Sequence, residues 1–175
     1  RPLGHFGRAT VFSFHPRKSV STGEGGMVVT SEAALADAMR AERNHGQEMR
    51  DGRREFTSAG FNYRLTEIQA AIGIEQLQRL PGIIATKRAL AAHYFAGLSG
   101  LRDLTLPLNN PEQTWQTFMV TLSSVTLRDH VQAACKAAGI ETGPGAVSGH
   151  TGLHWRGQFT TPADVCPVST RLATC

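Results

Sequence analysis

Phe12-Ser13-Phe14-His15-Pro16-Arg17-Lys18-Ser19-Val20-Ser21-Thr22-Gly23-Glu24-Gly25-Gly26-Met27-Val28-Val29-Thr30 is the stretch on which the reading of this chain turns. Ala9 to Phe14 mixes β-branched, aromatic and small residues in a short apolar run, the composition of a buried strand, and Gly26 to Thr30 is a second such run. Lys18 then falls on the connection between two strands. Pro16 cannot donate to a sheet ladder and restricts the residue before it, so the chain leaves the sheet near His15. Three glycines in the four positions Gly23 to Gly26 allow a tight return with backbone close to whatever lies above it. Such a connection presents one primary amine at the mouth of a sheet, where ligands of open α/β folds bind. A desolvated amine loses its proton more readily and attacks an aldehyde. Without that desolvation, a loop lysine beside an arginine is an ordinary solvated charge.

A second stretch is Gly60-Phe61-Asn62-Tyr63-Arg64-Leu65-Thr66-Glu67-Ile68-Gln69-Ala70-Ala71-Ile72-Gly73. Together the two resemble, in order and approximate spacing, the cofactor-lysine segment and the Gly-Tyr-Asn-Tyr-Arg segment of the DegT/StrS family of pyridoxal-phosphate-dependent nucleotide-sugar aminotransferases. The similarity runs from about Gly4 to the end of the chain. It implies an α/β fold of the fold-type I, aspartate-aminotransferase-like class, working as a homodimer with shared active sites. Set against that family, the chain reads as an internal fragment of a longer protein. Residues 1–98 would be the C-terminal part of the cofactor-binding large domain, and 99–175 an incomplete small C-terminal domain.

The resemblance also assigns residues. Lys18 would hold pyridoxal 5'-phosphate through its amine and carry the proton between the donor's α carbon and the cofactor. Ser13 would bond the cofactor phosphate, and Asn62 would reach the phosphate of the neighbouring subunit's cofactor. Tyr63 and Arg64 would line the same shared site, Arg64 offering a planar fork for a carboxylate or phosphate. His15 and His150 are further substrate-binding candidates. Read without the family, Ser13 is an ordinary strand serine, Asn62 a turn asparagine after Gly60 and His15 a local hydrogen-bond partner. The expected reaction moves an amino group from an amino acid, L-glutamate being the expected donor, to a nucleotide-linked keto sugar. The retained lysine argues against the related dehydratases, in which histidine replaces it. The competing reading is a non-catalytic cofactor- or nucleotide-sugar-binding protein on the same scaffold. One segment departs from the family: Gly145-Ala146 follows Gly139-Ile140-Glu141-Thr142 where many members have His-Tyr or His-Phe and then Pro, so the sugar is left open.

Composition narrows the classes further. An apolar fraction of 41% with 18% charged residues suits a soluble globular chain. No apolar run reaches the roughly 18 residues of a membrane span and no signal-peptide pattern opens the chain, so a cytoplasmic setting is expected. Cys135, Cys166 and Cys175 form no short Cys-x-x-Cys pair and indicate neither a disulfide framework nor a zinc ribbon. His150 and His154 have helical metal spacing but lie in a glycine-rich stretch that is poor helix, and no metal site is expected. The net charge of +4 comes from scattered basic residues without an aromatic-basic recognition motif, which speaks against nucleic acid.

For the remaining chain, Ser31 is the expected N-cap of a helix running to about Arg43, closed by Asn44-His45-Gly46. Gln47 to Ser58 reads as a polar, arginine-rich loop. Thr66 and Gln69 fit a capping box opening a helix whose apolar face holds Leu65, Ile68 and Ile72, widened by Ala71, Ile74 and Leu77. Pro81 is expected to begin a separate helix to about Leu98. Trp115 to Ser123 reads as a strand, and a helix near Thr126 is expected to stop at Gly139.

Overall fold

The computed structural model describes residues 4–145, 147–152 and 165–174. Strands β1 (Thr10–Ser13) and β2 (Gly26–Val29) pair antiparallel, Thr10 opposite Val29 and Ser13 opposite Gly26. The two strands expected from composition are therefore present, each trimmed at its ends. Val11 nevertheless stands 74% exposed, and Met27 and Val28 are exposed with it. Two strands cannot bury both of their faces; further strands or a helix layer must cover them.

Helix α1 (Ala33–Glu42) starts one residue later than its expected cap, with Glu32 and not Ser31 at the N-cap position. The Glu32 carboxylate is drawn away to the Arg8 guanidinium, which bonds it at 2.8 and 2.6 Å. Thr30 Oγ accepts from the Glu32 amide at 3.0 Å and donates to the Arg8 carbonyl at 2.6 Å, so a threonine fixes this entry to the helix. At the other end His45 and Gly46 both take left-handed backbone, φ 64° and 71°, and the Gly46 amide closes on the Ala41 carbonyl at 2.8 Å. That is the expected termination.

The segment after it is a hairpin and not a loop: β3 (Gln47–Arg50) pairs with β4 (Arg53–Phe56). Asp51 and Gly52, with φ 50° and 77°, make the two-residue turn whose twist matches antiparallel strands. Charge composition masked this turn signal in the sequence. An Asn44–Asn62 bridge then ties the hairpin's root to the next motif.

Helix α2 (Glu67–Leu98) is continuous for 32 residues, with Pro81 inside it rather than at the start of a second helix. Proline costs one backbone bond and some crowding, but half-buried Leu80, Ile83 and Ile84 anchor the helix on both sides of it. The capping box forms as expected: the Thr66 amide bonds Gln69 Oε1 at 3.1 Å and the Gln69 amide bonds Thr66 Oγ1 at 3.2 Å. The covered stripe differs from the expected one. Leu65, Gln69, Gly73 and Gln76 are the shielded positions, while Ile68, Ile72, Ile74 and Leu77 stand in the open.

The chain divides into two compact units, Arg1–Ala85 and Thr86–Cys175. In the second unit, Trp115 is buried at φ 53° and packs on Phe95 and Phe118 at ring separations of 5.4 Å each. A left-handed tryptophan breaks the strand expected from Trp115 onward. Only Thr121–Leu122 (β6) pairs there, with Leu104–Thr105 (β5). Helix α3 (Val125–Ala137) is capped by Ser124, whose hydroxyl accepts from Leu127, and Gly139 at φ 74° follows it. A short 3-10 turn (Gly149–Thr151) and helix α4 (Pro167–Thr174) complete the described elements. No helix among the described residues is long and apolar enough to cross a membrane.

Candidate active site

The connection between β1 and β2 is held mainly by its own backbone. The Phe14 amide donates to the Gly25 carbonyl at 2.9 Å and the Thr22 amide to the Phe14 carbonyl at 3.1 Å. Phe14, Val20 and Thr22 are buried beneath it, Thr22 at 3% exposure. Within this frame His15-Pro16-Arg17-Lys18 forms a turn closed by Lys18 N–H on the His15 carbonyl at 2.8 Å, with proline in the second position that turn favours. The His15 Nδ1 accepts from the Arg17 amide at 3.1 Å. A neutral ring so used carries its hydrogen on Nε2, which lies 4.0 Å from Glu24 Oε1.

The loop is also fixed to the start of α2. The Gln69 side-chain amide donates to the Glu24 carbonyl at 2.9 Å, and Thr22 Oγ1 donates to the same oxygen at 2.7 Å. A Cβ on Gly25, whose φ is 142°, would stand 2.9 Å from Leu65 Cδ1. Gly73 of α2 leaves room for Thr22, whose Cγ2 would lie 3.2 Å from a Cβ there. Sequence reasoning assigned Gln69 to a cap alone; its second bond, 45 residues back along the chain, has no local signature.

On this platform Lys18 and Ser13 are both exposed. The Lys18 ammonium makes no hydrogen bond or ion pair among the described residues, so the desolvation expected from the sequence is not supplied by them. Ser13 Oγ accepts a long bond from the His15 amide at 3.4 Å and keeps its own hydrogen to donate. A primary amine without an acidic partner among the described residues, a donor hydroxyl five residues earlier and a glycine-rich loop form a donor set that fits a phosphorylated aldehyde.

The second motif is clamped to the end of α1. Phe61 N–H meets the Glu42 carbonyl at 2.8 Å, Tyr63 N–H the Arg43 carbonyl at 2.9 Å, and His45 N–H the Phe61 carbonyl at 3.0 Å. A Cβ on Gly60 would run into the Gly46 amide nitrogen and one on Gly46 into the Ser58 carbonyl, so both glycines are dictated by close backbone approach. Phe61 and Tyr63 stack at 5.3 Å on the outside. Asn62 and Arg64 are exposed; Arg64 Nη1 donates to Asn44 Oδ1 at 2.7 Å, and the Arg64 amide to Asn62 Oδ1 at 3.4 Å. No hydrogen bond or ring contact joins Asn62, Tyr63 or Arg64 to Lys18 or Ser13 among the described residues. The two motifs meet only through the α2 entry that both adjoin.

His150 belongs to the second unit and has both ring nitrogens engaged. Its Nδ1 lies 2.9 Å from Ser148 Oγ and its Nε2 3.3 Å from Thr170 Oγ1. Thr170 Oγ1 donates to the Cys166 carbonyl at 3.1 Å, so it must accept from Nε2–H; Nδ1 then accepts from Ser148, which accepts from Ser169 at 3.1 Å. His150 thereby joins the 3-10 turn to α4. His154 and Ala146 lie outside the described residues. An open groove of about 520 Å³ on α3, lined by residues that include Lys136, Ile140 and Glu141, takes in none of the candidate residues.

The model of the DegT/DnrJ/EryC1/StrS aminotransferase family matches residues 1–174. The chain belongs to that family. Among solved structures it is similar to Helicobacter pylori PseC, an aminotransferase involved in the biosynthesis of pseudoaminic acid, with TM-score 0.90, 26% identity, and 99% of this chain against 47% of that one. It is similar to S. venezuelae DesV, solved with a ketimine intermediate, with TM-score 0.87, 32% identity, and 99% of this chain against 46% of that one. It is similar also to DesI, solved in the presence of its TDP-sugar product, with TM-score 0.86, 32% identity, and 99% against 44%. The chain therefore spans less than half the length of each. The family is one of pyridoxal-phosphate-dependent aminotransferases of fold type I, and the mixed helix and strand content here is a part of that fold.

Proposed function

We propose that this chain is the lysine-bearing part of a pyridoxal-phosphate-dependent aminotransferase that moves an amino group from an amino acid, L-glutamate being the candidate donor, to a nucleotide-linked keto sugar. The observation that carries the reading is the Lys18 loop: an amine without an acidic partner, on a turn fixed by backbone bonds and by Gln69, inside a segment matched by the family model. PseC, DesV and DesI support the substrate class through the reactions and ligands named for them. The activity is proposed for a protein of the relatives' full length. On this reading, residues 1–98 are the C-terminal part of its large domain and 99–175 part of its small one.

When bound, pyridoxal phosphate supplies the aldehyde and the electron sink. Lys18 Nζ would hold it covalently and would be the group that takes and returns the proton at the reacting carbon. Ser13 Oγ would donate to a phosphate oxygen. Asn62 would extend its amide to the phosphate of the cofactor held by a second copy, in a homodimer with shared sites. Arg64 offers its guanidinium fork, and Tyr63 its ring edge, to the anionic end of a reactant. His15 keeps its turn in shape, and its Nε2–H, 4.0 Å from Glu24 Oε1, is the group it would offer to substrate. Desolvation of the amine falls to the parts of the fold this chain does not span. The protein is proposed to work in the cytoplasm.

The test is borohydride reduction of the complete protein loaded with pyridoxal phosphate, followed by peptide mass mapping. The expected outcome is a phosphopyridoxyl adduct on Lys18 and turnover on at least one keto-sugar nucleotide. An adduct-free Lys18 at saturating cofactor would instead leave a non-catalytic binding protein on the same scaffold.

A further inference from the structure

Asn44 lies outside both motifs, at the stop of α1, where the sequence offered only a termination signal. Its side chain reaches 20 residues along the chain to accept from Arg64 Nη1 at 2.7 Å, the short end of the range for N–H···O and the mark of a charge-assisted bond. Its root is immobilised on three sides: its amide donates to the Ala41 carbonyl at 3.0 Å, its carbonyl accepts from Gln47 at 3.2 Å, and it bridges Asn62. Gly46 and Gly60 press the two backbones together at the same place. A half-buried, well-held amide thus aims at an exposed guanidinium whose remaining donors make no other bond among the described residues.

We propose that Asn44 is a positioning residue that presets the Arg64 guanidinium for an oxyanion of a reactant, carboxylate or phosphate. This rests on the reading of Arg64 given above. The physical point is the neutrality of the acceptor. A carboxylate at this position would hold Arg64 at least as firmly but would cancel the charge that attracts the anion, whereas a carboxamide orients the fork and leaves its full charge outward. Since one nitrogen of the fork is used, the face carrying the other donors is the one presented.

The experiment compares wild type, Asn44→Ala and Asn44→Asp in the complete protein. The backbone bridge to Asn62 survives both changes. Asn44→Ala is expected to raise KM for one anionic reactant about tenfold, the value of a lost hydrogen bond to a charged group, with kcat and the Lys18 adduct yield held near wild type. Asn44→Asp is expected to raise the same KM at least as much while its thermal midpoint stays at or above wild type. A rise confined to the amino donor identifies the carboxylate, and one confined to the sugar nucleotide the phosphate. Binding of glutarate and of inorganic pyrophosphate, measured calorimetrically, gives a readout free of turnover. If wild type forms no Lys18 adduct yet still binds one of these anions and loses it in Asn44→Asp, the aminotransferase reading fails and this one stands. Wild-type KM and anion binding in Asn44→Asp would overturn the proposal, since a merely structural asparagine is rescued by its isostere. An unchanged Asn44→Ala would overturn it equally.

Discussion

The first unit contains two antiparallel hairpins that solve the same topological problem in opposite ways. The β3–β4 pair closes through Asp51-Gly52 alone, and all of β4 is exposed, Phe56 among it. The β1–β2 pair closes through residues 14–25, which bond back on themselves, bury Phe14, Val20 and Thr22, and take a bond from Gln69 on α2. A tight turn needs nothing beyond its two residues; a long connection holds one shape only when bonds along it and a neighbouring element offset its closure entropy. The lysine sits on the second kind. On the proposed role of Lys18, a covalent cofactor must meet its partners within fractions of an ångström, a precision that an anchored connection favours.

The largest test of this contrast is chemical. Lys18→Ala in the complete protein should remove the adduct and lower turnover by about 10³-fold or more, whereas Arg53→Ala on the other hairpin should leave both near wild type. Absorbance of bound cofactor and initial rates check it; equal losses in the two variants would end the distinction. Next comes backbone space. Gly25→Ala places a methyl 2.9 Å from Leu65 Cδ1 and 3.0 Å from Thr22 Oγ1, and should destabilise by about 2–3 kcal/mol. Gly52→Ala meets nothing within 4 Å and should cost only its left-handed strain, about 1 kcal/mol. Denaturant titration of both variants sharpens or breaks the comparison.

Smaller again, Gln69→Ala removes both the cap of α2 and the bond to the Glu24 carbonyl, an expected loss of about 1–2 kcal/mol. Cofactor affinity should fall with it if the loop is tethered from α2, and stability alone should fall if the residue is only a cap. The smallest effect belongs to Arg8 and Glu32. The bond from the Arg8 guanidinium lowers the Glu32 pKa below its ordinary value. The pair therefore contributes above the ordinary carboxylate pKa and is lost as pH falls through the lowered one. Both side chains are in water, so Glu32→Gln should narrow the acid limb of the thermal-midpoint curve only slightly.

Much of this was legible from local chemistry. Short apolar runs of β-branched, aromatic and small residues marked β1 and β2, the Thr66–Gln69 pair marked the start of α2, and Asn44-His45-Gly46 marked the end of α1, because each is a contract between near neighbours. The Asp51-Gly52 turn was equally local but was hidden by the charges around it. Pro81 misled, since a helix-breaking residue is tolerated once flanking turns are anchored elsewhere. The ends of the second unit's strands were not readable because Trp115 adopts left-handed backbone to reach Phe95 and Phe118.

By itself the sequence determined that an amine-bearing connection lies between two strands, that a family segment with Asn62 and Arg64 precedes a capped helix, and that pyridoxal phosphate chemistry is the expectation. The tertiary structure alone decided that Gln69 tethers the lysine loop, that Asn44 holds Arg64, that His150 is committed at both nitrogens, and that the apolar side of α2 is left open. The reason is range: caps, turns and strand composition are settled within a few residues, whereas hydrogen bonds across 20 to 45 residues depend on how the backbone returns on itself.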